Sequence, residues 1–253
     1  MPLFKFQIKI SGEFMDNFLN FISNGWLQII AAAVIGYLLG SINFAIIITN
    51  IVNKKNDIRE MGSGNAGFTN VLRSVGKVPA IFTIVFDFLK AVIAVIIGGI
   101  LFSSIMGDSV HSAEFAQYGK YLAGLCCILG HMFPVYFGFR GGKGVVTASA
   151  LMAASEWRVF LAVLAVFLIV FIITRIISLS SLSGAVCYPI ATFIFTFFVD
   201  YRPSLGSETE YSLSYVIIST LFTLFISLCV IVKHRENIQR IMNGTEKKIT
   251  AKK

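Results

Sequence analysis

Long apolar stretches recur along this chain at short intervals, and that recurrence excludes most architectures before any motif is read. Runs at Trp26–Thr49, Val78–Phe102, Tyr121–Phe137, Phe160–Ile173, Leu182–Val199 and Leu213–Val232 approach or reach the roughly 17–25 residues that a helix needs to cross a bilayer. Inside hydrocarbon every backbone N–H and C=O must be satisfied within the segment, which selects helices for runs of this length. A shorter run, Val145–Ala154, has about half the required apolar length. It is counted as a seventh crossing that is tilted, re-entrant or shielded by protein. At 56% hydrophobic and 13% charged residues, the chain lies far from soluble domains of its size. The expected fold class is all-α: a polytopic integral membrane protein with seven transmembrane helices.

Orientation follows from the cations. With seven spans, the loops Asn53–Lys77, Phe139–Gly144 and Thr174–Ser180 and the tail Lys233–Lys253 share one side and hold most of the 21 Lys and Arg. The positive-inside rule makes that side cytoplasmic and puts the N-terminus outside. The net charge of +8 is then a matter of topology and of phosphates at the inner face, not of nucleic-acid binding. Residues 1–25 read as an N-terminal leader, interfacial or loosely ordered, since Lys5 and Lys9 precede no apolar core with a cleavage site. Residues 26–232 form the membrane domain, and residues 233–253 a polar segment and basic tail. Cys126, Cys127, Cys187 and Cys229 sit in apolar spans without Cys-x-x-Cys spacing and read as packing residues.

Three polar segments fall at membrane boundaries on the cation-rich side. The first contains Gly62-Ser-Gly-Asn-Ala-Gly67, a G-x-G-x-x-G without the preceding strand that a dinucleotide fold requires. Its glycines still permit a backbone nest around an anion, with Arg59 as a bidentate partner. The second, Gly141-Gly-Lys-Gly144, is no P-loop, but it presents Lys143 as a point charge on a flexible turn. Just upstream, His131 places a titratable imidazole near the membrane. In the third, His234 and Asn237 share one helix face at the end of the last span. Asp87 and Lys90, three residues apart within the second span, read as a mutual ion pair or a helix pin. Anion-binding groups gathered at one interface of a membrane protein point to a phosphate attached to something lipophilic.

Asp57-Ile-Arg-Glu-Met-Gly-Ser-Gly-Asn-Ala-Gly-Phe-Thr-Asn-Val-Leu-Arg73, Gly130-His-Met-Phe-Pro-Val through Phe139-Arg-Gly-Gly-Lys-Gly-Val145, and His234-Arg-Glu-Asn-Ile through Gly244-Thr-Glu246 resemble the three signature motifs of the bacterial acyl-phosphate:glycerol-3-phosphate acyltransferases. Gly40-Ser41-Ile42 and Arg175 through Ser180 are also similar to that family. Asn43, Ala66 and Phe68 stand where the family pattern has proline, proline and alanine, which changes turn stiffness and bulk but removes no charged group.

The resemblance implies transfer of a fatty acyl group from acyl phosphate to the 1-hydroxyl of glycerol 3-phosphate, giving 1-acylglycerol 3-phosphate and phosphate, the first step of phospholipid synthesis. It implies an enzyme of the bacterial inner membrane, acting at the cytoplasmic face, with membrane lipid around it and an acyl-phosphate-producing enzyme as a functional partner. Arg59, Lys143, His234 and Asn237 are the expected glycerol-3-phosphate ligands, with Ser41 and Ser178 as further contacts. Ser63, Gly64, Asn65, Thr69, Asn70, Gly141 and Gly142 are expected to hold the acyl phosphate. Lys143, His131 and His234 are the candidates for catalysis. The donor is already an activated anhydride, and no Gly-x-Ser-x-Gly elbow or His-x4-Asp pair is present, so direct attack by the substrate hydroxyl is expected. The proton is expected to go to the departing phosphate in preference to either imidazole. No cofactor is expected, and no metal, because Asp57, Glu60, Glu236 and Glu246 lack ligand spacing. The competing class, a transporter or flippase of a phosphate-bearing solute, predicts a midplane site between repeated halves, and no repeat is visible.

Overall fold

The structure, a computed structural model, describes residues 2–54, 56–106, 112–207 and 211–249, with side chains for Leu19 and, Met106 excepted, from Ser23 onward. The Lys5 and Lys9 side chains of the leader and Lys252 and Lys253 of the basic tail lie outside the described residues. Helix α1 (Pro2–Ser41) is followed by α2 (Phe44–Val52), α3 (Phe68–Ser74), α4 (Lys77–Met106), α5 (Ser112–Met132), α6 (Val145–Ser155), α7 (Trp157–Thr174) and α8 (Ile177–Ile194). A π-helical stretch, Phe195–Tyr201, joins α8 to α9 (Arg202–Ser204), and α10 (Leu213–Lys233) and α11 (Arg235–Met242) complete the order. No strand occurs among the described residues.

Among the described residues, six helical segments are long and apolar enough to cross a membrane: Ser23–Val52, Lys77–Ile105, Ser112–Phe137, Trp157–Thr174, Ile177–Ser204 and Leu213–Lys233. They coincide with the six long runs read from the sequence. The seventh run is α6, eleven residues and about 16 Å long. Its Thr147, Ala148, Ala150, Leu151 and Met152 are buried, and it contacts α4, α5 and α7, so protein shields its short backbone. Outward-facing Ile81, Phe82, Ile93, Ile100, Ile172 and Leu221 are exposed, as lipid-facing side chains should be.

Close helix approach rests on small residues, as expected where lipid is as apolar as the interface. A Cβ at Gly98 would lie 2.3 Å from the Gly119 carbonyl oxygen, and one at Gly119 would lie 2.2 Å from that of Gly98, which locks α4 against α5. The largest core cluster, including Tyr121, Met132, Leu151, Val163, Tyr188 and Ile226, joins α5 to α6, α7, α8 and α10.

The first span is broken at Ile42 and Asn43, and a break inside a bilayer needs replacement donors and acceptors. Lys90 of α4 supplies them, donating from Nζ to the Gly40 carbonyl at 3.0 Å and the Ile42 carbonyl at 2.6 Å. Asn43 caps α2 by accepting from Ile46 N–H at 3.1 Å. Ser41, fully buried, donates to Tyr37 O at 2.8 Å and accepts from Val135 N–H at 3.3 Å. This serine, expected to touch substrate, instead ties the broken span to the turn after α5.

Candidate functional site

Residues of all three polar segments line one cavity of about 980 Å³. The first segment is wrapped around the buried Asn70 amide, which donates to Ile58 O at 3.0 Å and Met61 O at 2.9 Å while its Oδ1 accepts from Ser63 N–H at 3.0 Å. Gly62 has φ +57°, and a Cβ there would lie 2.3 Å from Asn70 Oδ1, so the turn requires glycine. Gly64 N–H donates to Met61 O at 2.9 Å. The backbone donors of Ser63 and Gly64 are therefore engaged inside the loop. Ser63, Asn65, Thr69 and Asn70 line the cavity, Asn70 also clamping the loop from within, whereas Gly64 acts as a turn residue.

Gly141 and Gly142 have the same fate. Their N–H groups donate to Met132 O at 3.2 Å and His131 O at 3.0 Å, so the expected backbone cradle for an anion is already hydrogen-bonded to the end of α5. What the turn delivers is Lys143, which lines the cavity and donates to Asn237 Oδ1.

Arg59 does not join this group. Its guanidinium takes Asp57 through Nε at 2.9 Å and Nη2 at 2.6 Å, and donates from Nη1 to Phe137 O at 2.6 Å and Arg140 O at 3.3 Å. It faces a second, smaller cavity of about 450 Å³ with Tyr136 and Gly138. The hydrogen-bonded pair holds the Asp57 carboxyl below its usual range and raises Arg59. Arg59 thus staples the first loop to the turn after α5. The cation that faces the main cavity from this segment is Arg73, whose Nη2 reaches Lys247 O at 3.3 Å. Sequence reasoning missed it, although Thr69 and Arg73 stand four apart on α3 and so share a face.

Helix α11 brings the third segment in. His234 and Asn237 are both buried and both line the cavity. Glu246 is the hub beside them: Oε1 accepts from Asn237 Nδ2 and from Ser178 Oγ, each at 2.7 Å, and Oε2 accepts from Arg240 Nε at 2.7 Å. Burial works against the Glu246 carboxylate, but these donors outweigh it and lower its pKa. Ser178 lines the cavity as well and is fixed there by its bond to Glu246.

Burial, reinforced by Arg240, brings the Lys143 ammonium down to about 8. Burial also brings His234 down to about 4, so its imidazole is neutral at physiological pH. His234 Nδ1 lies 2.8 Å from Val230 O. A carbonyl only accepts, so the ring proton is on Nδ1 and Nε2 carries the lone pair.

His131 is buried at the cavity wall, next to the Asp87–Lys90 ion pair, whose Nζ and Oδ1 are 2.7 Å apart. The sequence reading anticipated that pair. Its third member, His131, comes from α5.

Away from this polar end the cavity turns apolar, lined by Phe160, Leu164 and Phe167 of α7, Gly184 and Tyr188 of α8, and Met152 of α6. From Ser178 to Tyr188 the α8 wall runs about 15 Å. The arrangement suits an amphiphile: cations and amides for an anionic head, an apolar arm for a chain.

Comparisons with known proteins agree with this chemistry. Residues 30–244 match the family model described as glycerol-3-phosphate acyltransferase. A glycerol-3-phosphate acyltransferase of Brucella anthropi is 36% identical over 226 residues, covering 89% of this chain and 96% of the relative. One of Francisella tularensis subsp. mediasiatica is 39% identical over 233 residues, covering 92% and 94%. Crystal structures of PlsY, an integral membrane glycerol 3-phosphate acyltransferase, superpose with TM-scores of 0.68 for its glycerol 3-phosphate form and 0.66 for its lysophosphatidic acid form. Both are 32% identical and cover 88% of this chain, and 96% and 95% of theirs. The chain is a multi-pass membrane protein and belongs to the glycerol-3-phosphate acyltransferase family.

Proposed function

We propose that this protein transfers a fatty acyl group from acyl phosphate to the 1-hydroxyl of glycerol 3-phosphate, releasing phosphate and 1-acylglycerol 3-phosphate. The observation that carries the reading is the single cavity whose polar end gathers Lys143, Arg73, His234 and Asn237 while its other end is apolar. Two phosphates and one hydrocarbon chain fit such a division of surface.

In this reading Arg73, Lys143 and Asn237 hold the glycerol 3-phosphate head group, with Glu246 fixing Asn237 and Arg240. The hydroxyls of Ser63 and Thr69 and the Asn65 amide face the acyl phosphate, and its chain lies between α6, α7 and α8. Arg73 replaces Arg59 among the substrate ligands. Holding both reactants in one cavity converts a bimolecular encounter into a positioned one. The substrate hydroxyl attacks the acyl carbonyl carbon, a C–O bond forms, and the C–O bond to the phosphate breaks. Negative charge that develops on the carbonyl oxygen is met by the Lys143 ammonium.

The proton goes to the departing phosphate. His234 has a free lone pair on Nε2, but at a pKa of about 4 it is a weaker base than a phosphate dianion, whose conjugate acid has a pKa of about 6. Because acyl phosphate is a mixed anhydride, the step draws on no cofactor.

The site belongs at the cytoplasmic face of the bacterial inner membrane, by the excess of Lys and Arg in the loops around it. Lys143 and Arg158 flank α6 and stand at opposite poles, beside Asn237 and beside Asp200 respectively. That supports α6 as a seventh crossing, with the N-terminus outside. The test is phosphate release by purified, detergent-solubilised protein given acyl phosphate with and without glycerol 3-phosphate, and acyl-CoA as rival donor. Release that requires glycerol 3-phosphate and excludes acyl-CoA is expected. Release indifferent to glycerol 3-phosphate would mark a hydrolase.

A further inference from the structure

Lys90 Nζ stands among four acceptors: Gly40 O at 3.0 Å, Ile42 O at 2.6 Å, His131 Nδ1 at 3.2 Å and Asp87 Oδ1 at 2.7 Å. The carboxylate neutralises the ammonium, and an ammonium has no lone pair, so toward the imidazole nitrogen beside it Nζ can only donate. Carbonyls cannot donate, which fixes Nζ as the donor throughout. His131 Nδ1 must then present its lone pair, and the ring proton resides on Nε2. The opposite assignment would aim an N–H at an ammonium, and Asp87 Oδ1, 3.7 Å from Nδ1, is too distant to compensate with a hydrogen bond.

The Nε2 edge has a defined place. A Cβ on Gly142 would lie 2.2 Å from it, so the ring packs directly on the turn that carries Lys143, and Gly142 N–H is bonded to the His131 carbonyl at 3.0 Å. Both His131 and Asp87 line the cavity.

We propose that Asp87 and Lys90 are positioning residues that lock His131 as an Nε2–H hydrogen-bond donor toward a substrate oxygen, and thereby exclude it as the proton acceptor. This rests on the acyl-transfer reading and deepens it. The acceptor is an oxygen that gains or carries negative charge, on the acyl carbonyl or the phosphoryl group. The two cavity imidazoles are then complementary: His131 donates from Nε2, and His234 offers a lone pair at the same ring atom.

The test is ¹⁵N NMR of histidine-labelled protein in lipid nanodiscs, which reads the tautomer of each ring. In the wild type, His131 is expected to show a bare Nδ1 and a protonated Nε2, and His234 the reverse. In Lys90→Met, His131 is expected to lose that signature, and kcat with acyl phosphate to fall about 10²-fold, the size of effect seen when one oxyanion donor is lost, with KM for glycerol 3-phosphate within about threefold. Wild-type His131 protonated on Nδ1 would overturn the proposal, as would an unchanged tautomer in a folded Lys90→Met variant. If that variant does not fold, the wild-type spectrum still decides. An inactive wild type with the expected spectrum would count against the acyl-transfer reading and leave the tautomer assignment standing.

Discussion

Two charged clusters stand at opposite ends of the bundle, and only one looks like a place for chemistry. At the end away from the cavity, Arg158 Nη2 lies between Glu156 at 2.5 Å and Asp200 at 2.8 Å, with the guanidinium over the Phe195 ring at 5.6 Å. Tyr215 adds a hydrogen bond to Asp200 at 3.4 Å. One cation meets two carboxylates, and the guanidinium finds partners within the cluster. At the cavity end the balance is reversed: with Asp87 taken up by Lys90, Glu246 stands amid Lys143, Arg73, Arg240 and Lys247, which all line the same space. An excess of one sign beside a cavity calls for a ligand of the other sign. A matched set of charges packed against a ring serves as a staple.

The largest expected difference between the two ends comes from removing one cation at each. Lys143→Met should lower kcat/KM by about 10³-fold, the upper range for loss of a positioned electrostatic donor, with the melting temperature in detergent little changed. Arg158→Met should do the opposite. Uncovering two partly buried carboxylates costs stability, about 1–3 kcal/mol, and lowers the melting temperature by several degrees. Turnover by the folded fraction should stay within about twofold. If Arg158→Met abolished turnover at temperatures well below its melting transition, the distinction between site and staple would fail.

A finer version compares the two arginines of the first segment. Arg73→Ala should raise KM for glycerol 3-phosphate by about 10–100-fold, since a charge-assisted hydrogen bond contributes about 1.5–3 kcal/mol. Arg59→Ala frees Asp57 and the turn after α5, so it should lower thermal stability while KM moves by less than about threefold. Steady-state kinetics and a melting curve on both variants separate the roles. A larger KM effect at Arg59 would restore it to the substrate site.

The spans were legible because hydropathy over twenty residues leaves few alternatives. Lys143, Asn237, His234, Ser63, Asn65 and Thr69, which line the cavity, stand out as candidates in the sequence because polar side chains at a membrane boundary have little structural reason to be there. Arg59 reads as an anion ligand in the sequence, but Asp57, two residues before it, caps the short turn and captures the guanidinium. Ser41 misled because its chain neighbourhood conceals a break in the span, which requires Lys90 from another helix. Gly141 and Gly142 suggested an anion nest, yet their N–H groups close a turn onto His131 and Met132. The Asp87–His131 approach joins residues far apart in sequence, and no local pattern in either span announces it.

The smallest expected effect distinguishes the site by its titration. Lys143 carries a pKa near 8 in the free protein, and only its protonated form attracts a phosphate. The ammonium is therefore fully present at pH 6–7, and its contribution to kcat/KM is lost as pH rises through about 8. kcat/KM for glycerol 3-phosphate should fall about tenfold between pH 7 and pH 9, most of it above pH 8. His234, near 4, stays neutral over that range and adds no limb. Lys143→Arg keeps the charge with a guanidinium that does not titrate there, so its alkaline limb should vanish even if its peak activity is lower. A limb that survives in Lys143→Arg would belong to another group, and the cation excess at this end of the bundle would no longer be traced to that lysine.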